Sequence, residues 1–183
     1  GLFFGFVFVY VRNYFDRSIK SADDLIDNGY NVLTWIPKIK SIEKGSKKGD
    51  SNEIIVHRTE RDFSGESFKT LRNRISISKL SRNLHTLLVT SSVPGEGKTF
   101  IASNLAVSFA LSNKRTLILD CDLRKPRIHK AFKIKNRPGM VDYFFGKADY
   151  ETIFQKTSMK NISILSAGSI PPNPSEIINS NQG

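Results

Sequence analysis

The stretch SSVPGEGKTF, residues 91–100, constrains this chain more than any other. It follows HTLLVTS, a short apolar run fit for a buried parallel strand. It precedes KTFIASNLAVSFALS, which sets Ala102, Leu105, Ala106 and Phe109 on one face of a helix. RTLILDCD then reads as a second buried strand. Strand, glycine-rich loop, helix, strand is one βαβ unit, whose crossover is right-handed in almost all proteins. This order predicts an α/β layered domain with a mostly parallel sheet.

The loop itself is built for an anion. The phosphate-binding pattern is G-x-x-x-x-G-K-[ST], and here the frame is Ser92-Val93-Pro94-Gly95-Glu96-Gly97-Lys98-Thr99. Ser92 stands where the first glycine is expected. Gly95 and Gly97 allow the backbone to turn and bring N–H groups close to phosphate oxygens. A helix that opens directly after the loop offers its first amides and its dipole. Lys98 supplies a point charge to outer phosphates, and Thr99 a hydroxyl for Mg²⁺. The plain alternative is a chance turn capped by threonine, and the flanking strand and helix argue against it. A small serine at 92 costs little if its φ is negative.

A second constellation, Asp120-Cys121-Asp122, closes the next strand. Period two aims both carboxylates to one side, and ligands in such sheets sit beyond the carboxyl ends of the strands. The pair could hold Mg²⁺ through water or take a proton from an attacking hydroxyl. Otherwise one caps a turn and the other is solvated. Arg124, Lys125 and Arg127 follow. Arg124 is placed to bond phosphate or lock an aspartate, while the other two read equally as a solvated basic face.

The rest of the chain is less specific. Residues 1–11, GLFFGFVFVYV, are wholly apolar and end at Arg12. They rise ~16 Å as a helix, about half of a bilayer core. Two readings stand: the end of a transmembrane helix, or a buried strand in which Phe4, Phe6, Phe8 and Tyr10 alternate. Arg12, Arg17 and Lys20 favour the membrane by the positive-inside rule. Residues 16–60 read as a connector, with a turn at Asn28-Gly29 and a polar linker, SIEKGSKKGDSNE. In GESFKTLRNRISIS, Phe68, Leu71 and Ile75 keep helical spacing. YETIFQKT reads as helical, NISILSAG as a third strand, and Pro174-Ser175-Glu176 as a helix start. The chain begins at Gly1 rather than Met and ends on SNQG, so both ends look cut.

Lys plus Arg outnumber Asp plus Glu by 28 to 17 in 183 residues, a net charge of +11 that seeks anions. That charge is spread through linker and surface without a nucleic-acid recognition motif, so nucleic acid is not expected as a partner. One cysteine, Cys121, excludes an internal disulfide, and Cys and His are too few for a zinc site.

SSVPGEGKT with LILDCDLRKP resembles the Walker A and Walker A′ motifs of the bacterial tyrosine kinases, the autokinases of capsule and exopolysaccharide export. GESFKTLRNRI resembles the family's E-x-x-R-x-x-R segment through Glu66, Lys69 and Arg72. PGMVDYFFGK and LSAGSIPPNPSEII resemble stretches that follow Walker A′. The resemblance implies an incomplete P-loop NTPase-like domain over residues 61–183, behind a juxtamembrane linker over 16–60 and the end of a transmembrane helix over 1–15. It implies Mg·ATP-dependent phosphorylation of tyrosines on a neighbouring subunit, at the cytoplasmic face of a bacterial inner membrane, in partnership with polysaccharide export machinery. By this likeness Pro94, Gly95, Glu96, Gly97, Lys98, Thr99 and Phe100 bind nucleotide. Thr99, Asp120 and Asp122 serve the metal, and Lys98, Asp120, Asp122 and Arg124 serve catalysis, with Asp122 activating the tyrosine hydroxyl. Glu66, Lys69 and Arg72 would bridge subunits in a ring.

Two departures matter. Lys69 replaces the first arginine of the bridging motif and cannot make its two-pronged contact to a carboxylate. Glu66 and Lys69 otherwise read as an i,i+3 surface pair worth ~0.2–0.5 kcal/mol. The family's Walker B acid and tyrosine-rich tail would lie beyond Gly183. Two rivals remain. One is a ParA/MinD-type switch ATPase, although the lysine that such loops carry early is replaced here by Val93-Pro94. The other is a membrane-anchored adaptor that binds ATP without catalysis.

Overall fold

The computed structural model describes residues 2–15, 22–37, 54–56, 63–78 and 85–174. The chain divides into two compact units, Gly1–Trp35 and Ile36–Gly183.

In the first unit, α1 (Leu2–Phe15) is a helix of 14 residues, which sets aside the strand reading of the apolar run. Phe4, Phe6, Phe8, Tyr10 and Tyr14 are all exposed along it. Alternation was a poor guide here because the run is apolar at nearly every position, so it carries no period of two. Among the described residues, no helix is long and apolar enough to cross a membrane. The short α2 (Ala22–Asp27) carries Asp23 and Asp24 in its first turn, where the helix dipole favours them. It stops at the expected turn. Gly29, at φ +80°, donates to Ile26 O, and Tyr30 donates to Leu25 O, a Schellman closure. The polar linker SIEKGSKKGDSNE lies outside the described residues.

The second unit is built around α4 (Lys98–Leu111). Helix α3 (Phe63–Ile77) packs against it through Phe68, Leu71 and Ile75, the face expected from sequence. The Phe68 and Phe100 rings meet edge to face at 5.6 Å. Arg72 Nη1 donates to Ser108 O at 3.0 Å, and Ser108 Oγ to Phe68 O at 3.4 Å. Asn104, fully buried, accepts from the backbone N–H of Ile55 (2.8 Å) and Val56 (3.3 Å) and donates to Phe100 O (2.9 Å).

The sheet order is β1-β3-β2. Strand β1 (Thr116–Leu119) runs parallel to β3 (Ile162–Leu165), from Thr116↔Ile162 to Leu119↔Leu165. Strand β2 (Phe154–Lys156) is antiparallel to β3. Thus only the first half of YETIFQKT is helical, as α7 (Tyr150–Ile153), and the rest is this edge strand. Pairing with β3 there outweighs a weak helical pattern. Residues 85–90, expected as a strand, form no regular element and have no ladder partner among the described residues, and Leu87 and Leu88 are exposed.

Between β1 and β2 the chain forms α5 (Ile128–Ala131) and α6 (Met140–Phe144). Leu123, Val141 and Ala167 form a small core cluster there, with Met140 and Phe144 packed on it. The segments 138–142 and 166–169 are clamped together. Met140 N donates to Ser166 O and Val141 N to Ala167 O. The buried Asp142 accepts from Gly139 N (3.0 Å) and from Ser169 Oγ, and pairs with Arg137 at 3.2 Å. A Cβ on Gly139 would stand 2.4 Å from Gly168 N, so this approach requires glycine.

Candidate functional site: the phosphate loop and the acidic end of β1

Gly95 and Gly97 hold φ of +88° and +93°, the left-handed region that side chains resist. No atom stands where their Cβ would be, so backbone conformation rather than crowding demands glycine. Ser92 is absent from the positive-φ positions, which explains why the missing first glycine is tolerated. Gly97 is the N-cap of α4 and supplies no side-chain cap. The first amides of a helix need partners, and no side chain at the N-cap supplies one here.

Lys98 is folded back on its own loop. Its Nζ donates to Ser91 Oγ at 2.8 Å and to Val93 O at 3.4 Å. Ser91 Oγ also donates to Val93 O at 2.9 Å. Glu96 turns the other way. Its carboxylate accepts from Ser92 Oγ and from Val93 N, each at 3.3 Å. The Val93 amide chiefly holds the Glu96 carboxyl below the ordinary range. Partial desolvation opposes it, and the Ser91 and Ser92 hydroxyls and the Ser92 amide assist. Pro94 is exposed, while Thr99 and Phe100 are half-buried in the first turn of α4.

The two aspartates sit in unlike surroundings. Strand β1 ends at Leu119, so Asp120 and Asp122 lie past it and strand alternation no longer orients them. Asp120 is buried. It accepts from Asp122 N (3.3 Å) and Ile128 N (3.1 Å), tying the 120–128 loop to the strand end. Burial pushes its carboxyl up. The amides of Ile128 and Asp122 offset part of that shift, and the charge of Asp122 adds to it. Asp122 is exposed and accepts from Lys125 N at 2.9 Å. One carboxylate therefore shapes the loop while the other faces solvent. Arg124, Lys125 and Arg127 are exposed.

Thr99, Asp120 and Asp122 are all oxygen donors, suited to Mg²⁺, which keeps waters and leans on substrate phosphates rather than on a full protein cage. Among the described residues no group of three or more His, Cys, Asp or Glu side chains could hold a metal by itself.

Glu66 and Lys69 form an exposed ion pair at 2.6 Å, the i,i+3 pair weighed from sequence. Arg72 is engaged within the chain at Ser108 O and Asn73. Sequence reasoning missed Ser91, which holds Lys98, and Asn104, which ties residues 55–56 to the loop's helix. The Ser-Ser doublet and the lone amide inside an apolar helix were the signals present.

The model of the CobQ/CobB/MinD/ParA nucleotide binding domain matches residues 87–170. Tyrosine-protein kinase YwqD of Bacillus subtilis is 36% identical over 69% of this chain and 54% of its own length. Tyrosine-protein kinase wzc of Salmonella typhimurium is 30% identical over 97% of this chain and 26% of its own. Among solved structures, the BceF tyrosine kinase domain matches with a TM-score of 0.79 at 27% identity, over 91% of this chain and 69% of that one. The chain thus spans about half of the first relative and a quarter of the second. The mixed α/β layer around α4 is that of P-loop NTPase-like kinase domains. With the Gly95–Thr99 loop and the acidic end of β1 inside the matched segment, the chain belongs to the bacterial tyrosine kinase family.

Proposed function

We propose that this chain is the nucleotide-binding part of a protein-tyrosine autokinase that regulates capsular or exopolysaccharide polymerisation and export. The observation that carries the reading is an uncapped α4 opening from a phosphate loop, with Asp120-Cys121-Asp122 just past the neighbouring strand. Relatives named as tyrosine kinases support it.

In this reading the backbone N–H groups from Gly95 to Thr99 cradle the phosphates of ATP, with Pro94 shaping the turn before them, and Lys98 leaves Ser91 to neutralise the outer ones. Thr99 and one or both aspartates hold Mg²⁺, which when bound draws charge from the phosphoryl oxygens. Asp122, exposed, accepts the proton of a tyrosine hydroxyl. The tyrosine oxygen–phosphorus bond forms as the bond between the γ-phosphorus and the bridging oxygen breaks, and ADP leaves. Asp120 keeps the 120–128 loop in place, and Arg124 stands by to bond phosphate. The tyrosine comes from a neighbouring subunit in a ring bridged by Glu66, Lys69 and Arg72. The exposed Glu66–Lys69 pair is cheap to open for such a bridge, since exposed pairs are worth ~0.2–1 kcal/mol. Residues 1–15 end a transmembrane helix, 16–60 link it to the kinase, and 61–183 are the kinase domain's first part, at the inner face of the plasma membrane. A switch ATPase is the second reading, because the matching family model also covers MinD and ParA.

The full-length gene product is given labelled ATP and assayed for phosphotyrosine. Labelling on tyrosine is expected, falling at least ~100-fold in Lys98→Met, where the cation that stabilises the transferred group is lost. Hydrolysis without phosphotyrosine would shift the reading to a switch ATPase. Binding with neither would leave an adaptor.

A further inference from the structure

We propose that Glu96 is a positioning residue that braces the first half of the phosphate loop in place of the missing glycine, holding Ser92 and Val93 ready for a triphosphate. The proposal rests on the nucleotide reading given above.

Both backbone polar groups of Val93 are held by side chains of the loop. Its N–H donates to Glu96 Oε2, and its C=O accepts from Ser91 Oγ and Lys98 Nζ. The Ser92 hydroxyl, present only because serine replaces glycine at this position, reaches both Glu96 oxygens. Glu96 itself sits between the two left-handed glycines, Gly95 and Gly97, which aim its side chain back over residues 92–93 rather than along α4. When Lys98 turns to phosphate, it abandons its contacts at Ser91 and Val93. The carboxylate then remains, with Ser91, as the tie on the Val93 backbone. A loop already held in its binding shape loses less freedom when the anion arrives, and affinity rises accordingly.

This role has a sign that simple electrostatics does not share. A carboxylate beside a polyphosphate repels it. If charge alone mattered, removing Glu96 would tighten anion binding. If the brace matters, removal weakens it.

The test measures binding of Mg·ATP and of inorganic pyrophosphate to the chain by calorimetry at fixed ionic strength. Pyrophosphate reports on the cradle without the adenosine. Glu96→Ala is expected to weaken both ligands about 3–10-fold, with the thermal midpoint unchanged. Glu96→Gln keeps an acceptor for Val93 N and should recover most of the affinity. Ser92→Ala should weaken binding less, and adding it to Glu96→Ala should cost nothing further, because both act through one contact. Faster amide exchange over residues 91–97 in ligand-free Glu96→Ala would accompany the loss. Unchanged or tighter binding in Glu96→Ala, with wild type binding normally, overturns the brace alone. A wild-type chain that binds neither probe overturns the nucleotide reading and the brace with it.

Discussion

Asp142 is only 2% exposed, yet its carboxyl is held below the ordinary carboxylate range. Burial pushes it up. The Ser169 hydroxyl, the Gly139 amide and the Arg137 guanidinium together outweigh that push. A carboxyl with a lower value folded than unfolded stabilises the fold above its unfolded value, and the gain is lost as pH falls through the folded one. The window is therefore the acid side, below about pH 4. Asp142→Asn cannot accept at every one of these contacts, and charged hydrogen bonds of this kind are worth ~1.5–3 kcal/mol. Thermal melts should show the variant about 4–8 °C lower at pH 7, with the two proteins converging below pH 4. Parallel curves down to pH 3 would remove the charge from the argument. Nothing near Asp142 in sequence announced this, because Ser169 comes from 27 positions away. Gly95 and Gly97 were legible from sequence because a left-handed turn is a local demand. Asp120 and Asp122 were legible as residue types, but their unlike surroundings were not. Strand alternation stops at Leu119, and the amides that engage Asp120 belong to a loop with no period.

Helix α4 shows the same limit one level up. Its expected apolar face was Ala102, Leu105, Ala106 and Phe109; of these Leu105 and Ala106 are buried and the other two half-buried, while Ser103, Asn104, Val107, Ser108 and Ala110 are buried as well. The helix lies between α3 on one side and β1 and α5 on others, and a helix buried nearly all round has no single face to read. The helix's existence came from its pattern and from the loop that starts it. Its neighbours come from tertiary packing alone. Asn104 is the polar residue that this burial turns into a joint. It gathers the N–H groups of Ile55 and Val56 and passes to Phe100 O, one residue after Thr99. Asn104→Leu fills similar space but leaves two buried donors unmet, at ~1–3 kcal/mol each. Hydrogen exchange at Ile55 and Val56 should then rise about tenfold or more, with smaller changes in β3. Unaltered exchange at those two amides would mean that packing of their side chains, not Asn104, holds the segment.

For the molecule as a whole, the sheet poses the sharpest question. Among the described residues, strand β1 has β3 on one edge and no partner on the other, and residues 85–90 join no strand. Leu117 and Leu119 of β1 are 45% and 48% exposed, and Leu88 is 83% exposed. Open strand edges with apolar side chains are what native proteins cover or charge. The BceF kinase domain, matched closely over this chain, extends beyond the matched part. An extended chain that carried the counterpart of that remainder could cover β1 and residues 85–90. The sign of one substitution separates this from a simple defect. In the chain of 183 residues, Leu117→Lys should reduce self-association seen by light scattering and leave the melting point within about 2 °C, as expected for an exposed site. In the extended chain the same lysine would be buried without a partner, and the fold should lose ~3 kcal/mol or more. An equal, small effect at both lengths would show that β1 stays open in the extended chain and that its leucines serve some other contact.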